Sequence, residues 1–113
     1  MELRDDPELQ RLWRVLHGMK REFGERPVQT SEILAAGYGG DGAASRALKL
    51  ALDEVAVFFR TPRLSSRSLG KWLGARSFFV VGQLKVLPAG VRNNVTAWKV
   101  VQVAPSDLED ESG

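Results

Sequence analysis

Leu9, Leu12, Trp13, Leu16, Met19 and Phe23 recur at spacings of three and four, the period of a helix with one buried face. Asp6 suits an N-cap, Pro7 the first helical position, and Glu8 the positive end of the helix dipole. Lys20 and Arg21 fall in the last turn, and Gly24 is placed to end it. "RPVQTSEILAAG" reads as a short extended piece and then a short helix, capped by Thr30 or Ser31 and ended by Gly37. "GYGGDG" then reads as a loop. "AASRALKLALDEVAVFF" predicts a further helix with Ala47, Leu48, Ala51, Leu52 and Val55 on one side, and Pro62 prevents its continuation.

The next stretch, "SSRSLGKWLGARS", is a helix over residues 66–74, capped by Ser65 or Ser66. Leu69, Trp72 and Leu73 cluster on one side of it, and Arg67 and Lys71 lie on the other, with Gly70 beside them and Ser68 at the boundary. From Phe78 the period changes to two: "FFVVGQLKVLPAG" and "VRNNVTAWKVVQV" read as strands, with Asn93-Asn94 as a tight hairpin turn. Helices first and a β-hairpin last predicts an α+β, winged-helix-like domain over residues 1–104, with the hairpin as the wing. Residues 105–113 form an acidic tail.

Charge sharpens this picture. Residues 1–55 hold eight basic and ten acidic side chains, net −2, and residues 105–113 are net −4. Between them, residues 56–104 hold eight Lys and Arg and no carboxylate in 49 positions. Such a block points to a surface that meets polyanions. The chain has no cysteine, which excludes disulfides and thiolate chemistry and favours a cytoplasmic setting. No apolar run is long enough to span a membrane, and the first ten residues are unlike a secretory signal.

Candidate chemistry is correspondingly narrow. His17 is the single histidine, so neither a metal nor a cofactor is expected, and no nucleophile stands near a base in the sequence, so no enzymatic activity is expected. Gly37, Gly39 and Gly42 match G-x-G-x-x-G but lack the preceding strand of a dinucleotide site. The helix over 66–74 carries two like charges four residues apart and an interior glycine, both unfavourable for a helix. A phosphate backbone would use both: Arg67 and Lys71 neutralise it, Ser68 can hydrogen-bond to it, and Gly70 lets it come close. Arg76, Lys85, Arg92 and Asn93 supply further contacts from the following turn and the wing, and Arg60 and Arg63 flank the site. The helix over 43–55 is the alternative recognition element.

"SSRSLGKWLGARSFFVVGQLKVLPAGVRNNVTAWKVV" resembles the C-terminal segment of phage- and plasmid-type primase-helicase ATPases. The similarity falls on Arg67, Leu69, Gly70, Lys71, Trp72, Leu73, Val80, Val81, Leu84, Val86, Gly90, Trp98 and Val100, and extends upstream through "LHGMKREFGERPVQTSEILAAG". It departs from the pattern at Ser77, Phe78 and Phe79, where related sequences carry more basic residues. The resemblance implies an accessory winged-helix-like module that contacts DNA, duplex or single-stranded, beside a replication ATPase. A module that docks a replication helicase or ATPase partner, and a small dimeric repressor, are the alternatives.

Overall fold

The computed structural model describes residues 7–103. The Asp6 cap, the last residue assigned to the domain and the acidic tail therefore lie outside the described residues. Helix α1 (Pro7–Phe23) buries Leu12, Val15, Leu16 and Met19 and ends at Gly24, which takes a positive φ of 67°. A two-residue strand β1 (Val28–Gln29) leads into α2 (Thr30–Gly39), then α3 (Ala43–Phe58), α4 (Ser66–Arg76), β2 (Leu84–Arg92) and β3 (Val95–Gln102). The result is an α+β fold of four helices and one antiparallel sheet of strand order β1-β3-β2. Among the described residues, no helix is long and apolar enough to cross a membrane.

α1 and α3 run antiparallel and close together. Gly18 makes this possible, because a Cβ there would stand 3.1 Å from the Leu48 Cα. Leu48, Ala51, Leu52 and Val55 of α3 are buried with the α1 face in one core, which also takes Val86, Trp98 and Val100 from the sheet. α4 drives Leu69, Trp72 and Leu73 into the same core, at 0%, 1% and 0% exposure, leaving Arg67 and Lys71 exposed. Ser65 is the N-cap, its hydroxyl accepting the Ser68 N–H at 3.1 Å.

Four boundaries differ from expectation, one of them the end of α4, which runs past residue 74 to Arg76. α2 continues through Gly37 to Gly39 because Gly37 faces α3, where a Cβ would lie 2.6 Å from Leu52 Cδ1, and because the Tyr38 hydroxyl accepts the Leu64 N–H. Tertiary packing there outweighs glycine's poor helix propensity. The N-cap of α2 is Gln29, not Thr30 or Ser31, since Glu32 turns back to accept the Gln29 N–H at 2.8 Å. β2 begins at Leu84 instead of near Phe78: Gly82 and Gln83, with φ of 55° and 69°, make a tight turn that pairs Val81 with Leu84.

The β2–β3 hairpin closes at Asn93 and Asn94, both at positive φ (55° and 64°), between the paired residues Arg92 and Val95. These are the backbone values of a type I′ turn, which matches the strands' twist. Pairing shifts by one residue between Pro88 and Val91, a bulge in β2.

α4 supplies two opposed tests of the local physics. Ser65→Ala removes the cap and is expected to lower stability by about 1 kcal/mol. Gly70→Ala meets nothing closer than the Thr30 methyl at 3.8 Å, and is expected to raise stability by up to about 1 kcal/mol. Urea denaturation of the two variants beside the wild type reads both signs.

Candidate nucleic-acid interface

A cleft of about 340 Å³ opens between α4 and the hairpin, lined by Thr30, Ser66, Arg67, Gly70, Lys71, Val95, Thr96 and Trp98. Three elements build it. The outward face of α4 gives Arg67, Gly70 and Lys71, held in place by the Leu69–Trp72–Leu73 side packed into the core. The start of α2 gives Thr30, buried against the glycine. β3 gives Val95, Thr96 and Trp98, and Trp98 runs beneath α4 so closely that a Cβ on Gly74 would sit 3.7 Å from its ring. The cleft is thus mainly apolar in its exposed lining and cationic on its α4 side.

Arg67 and Lys71 are one helical turn apart, and among the described residues neither has an ion-pair partner. The hairpin tip is tied to the start of α2. The Gln29 side-chain amide donates to the carbonyls of Arg92 and Val95, at 2.8 and 3.2 Å. The Arg92 guanidinium donates to Glu32 Oε1 at 3.0 Å, the oxygen that also accepts the Gln29 N–H. One carboxylate therefore caps α2 and anchors the tip. The Gln29 N–H holds the Glu32 carboxyl below its ordinary range, and the Arg92 and Arg26 cations add to this against the opposing effect of desolvation.

The other basic residues do not converge on the cleft. Lys85 lies on the outer face of the sheet: the register pairs it with Val101 and pairs Leu87 with Lys99, so Lys85 and Lys99 share the face opposite Val86, Trp98 and Val100. Arg63 stacks its guanidinium over the Tyr38 ring at 4.4 Å. Arg60 follows α3 at positive φ and is exposed. Asn93 forms the hairpin tip, and the Ser68 hydroxyl is engaged by Ser65 within the α4 cap. Arg76 has the setting furthest from expectation. Its side chain is only 11% exposed, lies over Trp72 and Phe58, donates to the Trp72 carbonyl and pairs with Glu8. It ties α4 to α1 instead of standing at a free surface.

Of the ten candidates, Arg67, Gly70 and Lys71 line the cleft, and Arg92 and Asn93 stand at the adjacent tip. Sequence reasoning missed Thr30, Ser66, Val95 and Thr96 as lining, and Gln29 and Glu32 as the anchor. Ser66 sits on α4 beside Arg67 and Glu32 caps Gln29 three residues before it, whereas Thr30, Val95 and Thr96 reach the cleft only through pairing across the fold.

Glu32 gives a pH signature. Its folded-state carboxyl is depressed, so it stabilises the fold above the unfolded glutamate range, and that contribution is lost as pH falls through the lowered folded value. The stability gap between wild type and Glu32→Gln is expected to be constant near neutral pH and to shrink under acid, measured as urea midpoints across that range. Compared with protein-family models, curated proteins and solved structures, the chain has no match in any of the three.

Proposed function

We propose that this chain is a non-catalytic, winged-helix-type DNA-binding domain of a phage- or plasmid-type replication protein, working in the cytoplasm beside a replication ATPase. α4 is the element that meets the nucleic acid, and the hairpin is its wing. The observation that carries this is the pair Arg67 and Lys71, one turn apart on the α4 side of the α4–β3 cleft, neither with an ion-pair partner among the described residues. Unpaired cations on a rigid helix are what phosphate neutralisation requires. Supporting the winged-helix type, β1 precedes the helix that packs on α4, α4 leads into the hairpin, and the sheet runs β1-β3-β2. The sequence resemblance of residues 65–101 points the same way. The DNA contact is correspondingly smaller than the charge block suggested, since Lys85 and Arg76 face elsewhere.

A second role, docking a replication helicase or ATPase partner, is favoured by one feature. A groove of about 510 Å³ between α1 and α3 is lined by Trp13, His17, Ala47, Leu50 and Ala51 together with the charged Arg14, Arg21 and Glu54, and Leu50 is 65% exposed.

DNA affinity is expected to fall steeply with salt. The double variant Arg67→Ala/Lys71→Ala should flatten the slope of log affinity against log salt by about two units. Titrations of a labelled DNA at several salt concentrations measure it. Equal slopes for wild type and variant, or no binding at low salt, would favour the docking role instead.

A further inference from the structure

The lining of the cleft says which form of DNA it suits. A duplex offers a rail of phosphates outside a stacked core, and a flat cationic helix face is enough to meet it. The surface beside Arg67 and Lys71 is more than a helix face: it is a shallow, open depression of about 340 Å³ between α4 and β3. β3 lines one side with Val95, Thr96 and the largely buried Trp98, α4 lines the other with Ser66, Gly70 and the two cations, and the exposed lining is mainly apolar. Gly70 stands in the wall with room for a Cβ, the nearest atom of a neighbour being 3.8 Å from it, so packing within the domain does not demand the glycine. What its missing side chain does is widen the recess.

We propose that the cleft holds one unpaired nucleotide of a single strand, with its phosphate at Arg67 and Lys71 and its base against the β3 side, at Thr96 and Trp98. A mainly apolar lining beside a cationic helix face is the arrangement that accepts unstacked bases along a charged backbone. This rests on the DNA-binding role proposed above and narrows it to the single-stranded form.

The test compares the full chain's affinity, by fluorescence anisotropy at matched salt, for a labelled single strand and for the same strand annealed to its complement. The single strand is expected to bind about fivefold tighter or more, the lower end of what one accommodated base contributes. A nucleoside monophosphate is expected to compete, and inorganic phosphate at equal concentration is not. Gly70→Leu fills the recess and is expected to bring single-strand affinity down to the duplex level with the salt slope unchanged. Gly70→Ala, which the helix tolerates, is expected to move the ratio in the same direction by less. Equal or tighter duplex binding, or a nucleotide that fails to compete, with salt-dependent binding intact, would overturn the single-nucleotide site and leave the DNA-binding role standing. Absence of binding to either form at low salt would overturn both.

Discussion

The burial of three side chains from α4 holds the candidate site together. By propensity this helix is poor: it carries Gly70 and Gly74 in its interior and like charges at Arg67 and Lys71. Each glycine costs about 1 kcal/mol against alanine, and the charge pair a few tenths more. Leu69, Trp72 and Leu73 are almost fully withdrawn from water, and burial of a large apolar side chain contributes roughly 1.5–3 kcal/mol each. Packing therefore exceeds the local deficit, and α4 exists because the core needs it. Its other face is then released from any structural duty and can carry glycine and cations.

The same principle explains which parts of the fold were legible in the sequence. α1, the body of α3 and the apolar triad of α4 follow from periodicity, and Asn93-Asn94 follows from the tolerance of asparagine for positive φ. The errors sit at element boundaries, some set by a distant partner and some by a local turn or cap. Gly37 resembles a helix terminator until α3 supplies Leu52 as its neighbour. Thr30 resembles a cap until Glu32 reaches back and moves the boundary to Gln29. Gln83 gives no sign that it will adopt positive φ beside Gly82. In the candidate site, the α4 residues were visible because they lie on one helix, whereas Thr30, Val95 and Thr96 are brought to them only by the antiparallel pairing of the sheet.

Charge read along a chain also differs from charge read on a surface. The 49 residues without a carboxylate suggested a single basic face, yet strand alternation sends Lys85 and Lys99 to one side of the sheet and leaves Arg67 and Lys71 on the other. Acids from the N-terminal half then reach into the block. Glu8 holds Arg76, and Glu32 holds Arg92. Two of the eight cations thus serve as ties between the helical half and the α4–hairpin half.

β2 forms one border of the sheet, and a border strand ordinarily offers its unpaired backbone groups to any extended chain that passes. This one carries Pro88, which has no N–H to give, and a bulge immediately after it. The border is therefore interrupted midway along the hairpin. A second hairpin cannot zip onto it in continuous register, and the sheet is a poor template for self-association through that side. The hairpin can project beside α4, with exposed Val91 and Val95 near its tip, without turning its own rim into a seed for aggregation.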